Sequence, residues 1–413
     1  MIRVTGGCDR DIDIHKCDNV AEIVGATVPK LSERALGIKQ SEIRVMSVEC
    51  ERVKGINLAQ GICDTEVPPP VRQGAHEAIE NGNNQYTRMD GIAGLRQAIA
   101  KKMKRYNRIE RDPETEVVVT GGSTGGYLST CLALLEAGDE VILFQPYYGY
   151  HVHTLETLGV TPRFVNLQPP SWEFKKEELE RAISARTKAI VVNTPGNPSG
   201  KMFTREELGW IAEIASQHDL FVITDEIYEY FRYDGREHIS PATVDRLRER
   251  TVTISGFSKT FSVTGWRLGY VVADAKWTNA IKYFSDLAYI CGPSPLQWGV
   301  MMGIDELGDE FYDELNAEYA QKRRLLCDTL HEVGLTPFEP QGSYYVLADA
   351  SSLPGKDSKE RAMHLLHTAG VATVPGESFM KSGGETLLRF CFAKRMEELE
   401  EACRRLEGVR ANV

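Results

Sequence analysis

Residues 252–272 read VTISGFSKTFSVTGWRLGYVV. Two short apolar runs, Val252–Ser255 and Leu268–Val272, bracket a polar loop that carries Lys259 and, eight positions on, Arg267. Such runs, rich in β-branched residues and bounded by Gly and Ser, read as strands. Working outward, the same kind of run recurs at Val117–Thr120, Val141–Phe144, Arg163–Asn166, Ala189–Asn193 and Leu220–Thr224. Segments with helical spacing lie between several of them: Leu179, Ala182 and Ile183 in one, Leu208, Ile211 and Ala215 in another. Thr204-x-x-Glu207 opens the second as a capping box. Strand and helix alternate, and the runs are too apolar for half-exposed strands. The pattern predicts an α/β fold whose mostly parallel sheet is covered on both faces. Ligands of such sheets bind beyond the C-terminal strand ends. The loops after Thr120, Phe144, Asn193, Thr224 and Ser255 are therefore where chemistry is expected.

The flanks differ in character. Residues 1–55 are polar and mixed, with one apolar-periodic stretch at Ile38–Val48, and read as an arm plus a helix. Residues 70–106 read as two helical pieces broken by the turn cluster Asn81-Gly82-Asn83-Asn84. Beyond residue 310, a long charged helix (Asp313–Glu332), two strand-like pieces (Ser343–Ala348 and Leu387–Phe392) and a last helix (Arg395–Leu406) suggest a small α+β domain. The expected division is 1–60 as the arm and part of the small domain, 61–310 as the large domain, and 311–413 as the small C-terminal domain.

Composition narrows the function classes. The chain has 413 residues, 42% of them hydrophobic, enough for a substantial core rather than disorder. Lys and Arg total 48 against 59 Asp and Glu, a net −11, which disfavours a nucleic-acid partner. No stretch approaches 18 consecutive apolar residues, so no membrane span is expected. Met1–Asp18 lacks the apolar core of a signal peptide, and a cytoplasmic location is expected. The nine cysteines form no C-x-x-C pair, so they read as reduced thiols and no metal site is expected.

Four strand-end loops carry candidate chemistry. Gly121-Gly122-Ser123-Thr124-Gly125-Gly126 follows a strand and opens a helix expected at Tyr127–Leu135. Small residues there let backbone N–H groups approach an anion. Asn193-Thr-Pro-Gly-Asn197-Pro-Ser-Gly200 is an irregular turn with an amide at its centre. Asp225-Glu226-Ile-Tyr228 places a carboxylate at the end of a buried strand, where it needs a partner. A cationic ring nitrogen would serve, as would an Arg or a helix N-terminus. Lys259 would be partly desolvated and near other cations, which lowers its pKa and makes it a nucleophilic amine. Together these groups meet the needs of pyridoxal 5′-phosphate: an amine for the aldehyde, a carboxylate for the pyridinium, donors for the phenolic oxygen, and Arg with backbone amides for the phosphate.

The phrase Ser258-Lys259-Thr-Phe-Ser-Val-Thr-Gly-Trp-Arg267-Leu-Gly-Tyr resembles the class I/II aminotransferases of the fold-type-I pyridoxal-phosphate family. Asn-Thr-Pro-Gly-Asn197-Pro-Ser-Gly, Asp225-Glu-x-Tyr228 and Leu-Arg389-Phe-Cys-Phe follow in family order, and the likeness spans about residues 30–408. The resemblance implies a three-layer αβα fold with a smaller second domain. It implies that Lys259 forms the internal aldimine, that Asp225 pairs with the pyridine nitrogen, and that Tyr228 and Asn197 bond the phenolic oxygen. Tyr148 would stack on the ring, and Gly122, Ser123, Thr124 and Arg267 would hold the phosphate. Arg389 and Gly61 would meet the substrate α-carboxylate. Tyr86 matches the tyrosine that reaches the neighbouring subunit's phosphate, so a homodimer with shared active sites is implied. Gly256 stands where many members place a phosphate-binding Ser; whether Ser258 replaces it stays open. Gly125 stands for a usual Ala. Several phrases lean towards the kynurenine and glutamine-transaminase-K branch. The implied reaction moves an amino group from an L-amino acid to a 2-oxo acid. The rivals are a Cα-elimination enzyme using the same cofactor (a β-lyase or a cyclopropane-forming synthase), a non-catalytic ligand-sensing domain, and a nicotinamide-dependent oxidoreductase.

Overall fold

Seven strands form the sheet that the apolar runs predict, with ends shifted by no more than two residues. The structure is a computed structural model, and it describes residues 29–32, 35 and 41–409. From Glu42 the elements are α1 (Glu42–Arg52), β1 (Ile56–Asn57), α2 (Pro69–Glu80), α3 (Ala93–Lys102) with a π-turn (Met103–Asn107), β2 (Val117–Thr120), α4 (Gly122–Leu134), β3 (Glu140–Gln145) and α5 (Gly149–Thr157). There follow β4 (Thr161–Asn166), α6 (Lys176–Ala182), β5 (Thr187–Asn193), α7 (Arg205–Gln217), β6 (Phe221–Asp225), β7 (Thr251–Gly256), β8 (Gly269–Val272), α8 (Ala275–Tyr289), α9 (Ser294–Glu306) and α10 (Asp309–Glu332). The chain ends with β9 (Thr336–Phe338), β10 (Tyr345–Asp349), α11 (Ser358–Ala369), β11 (Val371–Ala372), β12 (Val374–Pro375), β13 (Leu387–Cys391) and α12 (Met396–Glu407).

The large sheet has the order β2-β8-β7-β6-β5-β3-β4. Its pairs are parallel except those of β8, which runs antiparallel to both neighbours. β5, β6 and β7 lie at its centre and their strand ends carry the Asn197, Asp225 and Lys259 loops. β4 departs from the expectation of full burial: as an edge strand it leaves Thr161, Arg163 and Asn166 exposed, and Pro162 suits a position without a neighbour to bond. A second, four-stranded sheet, β12-β13-β10-β9, is antiparallel. Its core joins the segments on either side of the large sheet: Met46, Cys50 and Leu58 pack with Leu326, Val346, Phe390 and Leu399. β1 pairs with β11 across the same core, Ile56 opposite Val371.

Other sequence expectations meet mixed outcomes. The capping box forms: the Glu207 amide donates to Thr204 Oγ1 (3.2 Å) and the Thr204 amide to Glu207 Oε2 (2.8 Å). The run 121–126 is not a loop before a helix at Tyr127, because α4 already starts at Gly122. Glycine permits this start: a Cβ on Gly126 would stand 3.0 Å from Val271 and 3.1 Å from Thr120 Oγ1. Ile183 lies just past α6 in extended conformation rather than within the helix. Residues 275–306, which carry no assignment from periodicity, form α8 and α9. α9 packs closely on α2 with the help of glycines; a Cβ on Gly299 would lie 2.4 Å from the Val71 carbonyl oxygen. Seven cysteines are described and free, all buried except the partly buried Cys291. Cys8, Cys17, the segment Met1–Asp18 and the first residues of the Ile38–Val48 stretch lie outside the described residues.

Candidate functional site

Lys259 follows the end of β7, and its amine donates to the Gly61 carbonyl oxygen (3.2 Å). Burial lowers its pKa and the Arg267 charge adds to that lowering, while Cys63, Cys391 and Asp225 oppose it. Desolvation, more than neighbouring cations, is thus what holds this amine towards its neutral form. Asp225 is the last residue of β6. One of its carboxylate oxygens accepts from the Ile227 amide (3.2 Å) and the other lies 3.1 Å from His151 Nε2. Among the described residues the strand-end carboxylate therefore has a histidine, not an Arg or a helix N-terminus, as its side-chain partner. Tyr148 caps the start of α5, and its ring meets His151 edge-on at 5.2 Å.

Tyr228 lies one turn beyond Asp225, with its hydroxyl 3.2 Å from that of Tyr345. Burial raises both phenols well above their ordinary range. The Asn193 side chain accepts from the Asn197 amide (2.7 Å), which shapes the turn that aims Asn197. Asn197 Oδ1 accepts from Arg389 Nη1 (2.9 Å), and Arg389 Nη2 donates to the Ala59 carbonyl oxygen (2.6 Å). The guanidinium, on β13, is sandwiched between the rings of Tyr345 (4.3 Å) and Phe379 (4.7 Å). Each of its two terminal nitrogens retains a second N–H, and that pair can fork onto a carboxylate. Gly61 borders this group closely: a Cβ there would stand 1.8 Å from the Tyr345 hydroxyl oxygen, so a side chain at 61 would displace the ring.

Gly122, Ser123 and Thr124 form the first turn of α4, and no side chain caps it. Its amides are donors at the positive end of a helix dipole. Gly122 has φ +74°, and a Cβ on it would lie 2.8 Å from Arg267 Nη2, so the guanidinium and the bare helix start face each other. A Cβ on Gly269 would stand 2.5 Å from the Ser123 amide nitrogen. Gly125 lies under Tyr289, whose ring would be 3.2 Å from an added Cβ. Gly256 is wedged at about the same closeness against Gly269, Ile227 and Leu268, 3.1 Å from each, so a serine side chain does not fit there without displacement.

Lys259, Asp225, Tyr228, Asn197, Arg389, Gly61, Tyr148, Arg267 and the start of α4 thus gather at the central strand ends. Tyr86 stands apart with 79% of its surface exposed. Sequence reasoning missed His151, Tyr344, Tyr345 and Phe379. Tyr344 donates to the same Gly61 carbonyl that Lys259 uses (3.3 Å). The spacing of His151, three residues after Tyr148 on one helix face, was the one available signal.

The family Aminotransferase class I and II matches residues 53–406. An aromatic-amino-acid aminotransferase of Thermococcus litoralis is 33% identical over 92% of this chain and 98% of its own length. An aspartate aminotransferase of Pyrococcus abyssi is 35% identical over the same shares of the two chains, 92% and 98%. The solved N-succinyldiaminopimelate aminotransferase of Mycobacterium tuberculosis superposes with a TM-score of 0.88 at 35% identity, covering 93% of this chain and 100% of that one.

Proposed function

Because this chain belongs to the class I and II aminotransferase family and is a transaminase, we propose that it works with pyridoxal 5′-phosphate on an L-amino acid of the aspartate, aromatic, kynurenine or glutamine type, with 2-oxoglutarate as acceptor. The observation that carries the reading is the half-buried Lys259, whose amine pKa desolvation lowers, beside the Asp225 strand end. The residues present suit the cofactor. The uncapped α4 start facing Arg267 matches a phosphate, and the Asp225 carboxylate matches a ring nitrogen. When bound, the cofactor supplies an aldehyde that accepts amines and a ring that accepts electrons from Cα.

The chain's own residues divide the work. Lys259 offers an amine whose pKa desolvation lowers, and it would be the base that takes the substrate Cα proton. Asp225, with His151 Nε2 on one oxygen, keeps its charge directed at the ring-nitrogen position. Tyr228 and Asn197 hold the phenolic oxygen, Tyr148 covers the ring face, and Gly122, Ser123, Thr124 and Arg267 hold the phosphate. Arg389 grips the substrate α-carboxylate next to Gly61 and so orients Cα–H. Tyr86 reaches the phosphate of the neighbouring subunit in a cytoplasmic homodimer. The division into 1–60, 61–310 and 311–413 belongs to the same reading; it is supported by a core that residues 46–63 share with residues 315–409, to which Ile227, Tyr228, Phe231 and Tyr233 also contribute.

The experiment is a donor screen. Purified protein with cofactor and 2-oxoglutarate is offered single L-amino acids, and glutamate release is measured. One glutamate per donor consumed is expected. Release of ammonia without consumption of 2-oxoglutarate would overturn the reading in favour of elimination.

A further inference from the structure

Asp225 and Tyr228 serve the site, yet the same turn carries two more carboxylates, Glu226 and Glu229, which are 0% and 2% exposed and bond to a different set of partners. Glu226 Oε1 accepts from Thr224 Oγ1 (2.7 Å) and Ser240 Oγ (2.9 Å), and its Oε2 lies 2.7 Å from His238 Nε2. Glu229 Oε1 takes the Lys102 ammonium (2.6 Å), the Ser255 hydroxyl (2.9 Å) and the Tyr270 hydroxyl (3.3 Å), and its Oε2 takes the Asn107 amide (2.7 Å). Against the opposing effect of burial, Lys102 and His238 hold the Glu229 carboxyl below its usual range. Glu226, Glu229 and His238 come close enough together to suggest a metal site. The Lys102 ammonium already supplies the cation there.

The partners come from separate elements. Lys102 ends α3, Asn107 ends the π-turn, Ser255 sits on β7 four residues before Lys259, and Tyr270 sits on β8. The π-turn has a purpose in this frame. Residues five apart point about 140° away from each other on an α-helix. The wider π-turn narrows that angle. Lys102 and Asn107 can then bond each other (2.8 Å) and both oxygens of Glu229.

We propose that Glu226 and Glu229 are positioning residues for transamination: Glu229 ties the Asp225–Tyr228 turn to Ser255 on the strand carrying Lys259, and Glu226 ties the same turn to His238 and Ser240, so that carboxylate, phenol and amine stay aligned. The proposal rests on the roles given above to Asp225, Tyr228 and Lys259. Removing Glu229 alone would strand a buried ammonium and threaten the fold. The test therefore pairs Lys102→Met with Glu229→Gln, which removes both charges, and uses Glu226→Gln and Asn107→Ala separately. Each variant is prepared with cofactor. The measurements are thermal unfolding, cofactor content, kcat, KM for the donor, and the pH titration of the bound cofactor's visible band.

The paired variant and Glu226→Gln should fold, load cofactor, and lose about tenfold or more in kcat with KM changed far less. Their band should titrate at a shifted pH, because the carboxylate at the ring nitrogen is no longer held in place. Asn107→Ala, which keeps the ion pair, should move in the same direction by about threefold. If kcat and band titration match the wild type, or if kcat falls only as far as folded, loaded protein is lost, the inference is wrong. Should the paired variant not fold, Asn107→Ala and Glu226→Gln decide by the same criteria. A wild type that neither binds cofactor nor transaminates sinks the functional reading instead, so the two failures are distinguishable.

Discussion

Arg389 is held by acceptors on two nitrogens and covered by a ring on each face, so its position is set before any substrate arrives. A lysine at this place keeps the charge and loses both the fork and the flat stacking surface. Arg389→Lys should therefore cost about 1.5–3 kcal/mol of carboxylate binding, or roughly 10–100-fold in kcat/KM. Steady-state rates over a range of donor concentrations check this, with most of the loss expected in KM. An unchanged kcat/KM removes Arg389 from the α-carboxylate site. At this scale the sequence was most legible where a residue's surroundings are local. Lys259, Asp225 and Asn197 could be singled out because their loops fall together on adjacent strand ends, although no one of those loops was decisive alone. His151 and Tyr345 could not, because the atoms they meet lie 74 and 117 residues away in the chain.

Among the elements, the central strands were readable because burial on both faces forces continuous apolar runs. Helices that pack by close backbone approach were not. α9 uses Gly299 and Gly303 against Val71, and a period of small residues carries no hydrophobic signal. The start of α4 was misplaced for a related reason: a run of glycines reads as a loop, yet here it lets a helix begin hard against the sheet. α7 is the opposite case, since its box was explicit in the sequence. Thr204→Ala removes the acceptor for the Glu207 amide and should cost about 1 kcal/mol. Amide hydrogen exchange over residues 205–208 should then quicken about fivefold, with the strands unaffected. Equal exchange in both proteins would mean that the Lys201–Glu207 pair (2.7 Å) holds this end by itself.

For the molecule as a whole, Tyr86 is the telling residue. An aromatic side chain 79% exposed is costly without a use, and Ile79 and Met89 in the same segment are 51% and 37% exposed. Tyr283, Leu287 and Ile290, at the end of α8, are exposed as well. In the proposed homodimer these groups would be covered and Tyr86 would complete the partner's site. Subunit exchange tests this. Lys259→Ala dimers should be inactive and Tyr86→Ala dimers impaired. In a mixed dimer one site would collect both defects and the other none, so activity should rise towards half of wild type per mixed dimer. No recovery, from a Tyr86→Ala parent with a measurable deficit, would place both residues in one chain's site. A monomer with normal turnover would do the same.

The core that residues 46–63 share with residues 315–409 has a consequence in time. Met46, Cys50 and Leu58 pack with Phe390 and Leu399, and Ile56 pairs with Val371. The last strand of the large sheet ends at Val272. A ribosome adding about 5–20 residues per second needs about 15–60 s to pass from Asn57 to Val371. For about the last third of that interval all seven strands exist, while residues 46–58, their apolar side chains bare, still have nowhere to dock. Residues 46–58 are made early and docked late, and until Val371 emerges they are a part that a chaperone or a protease meets.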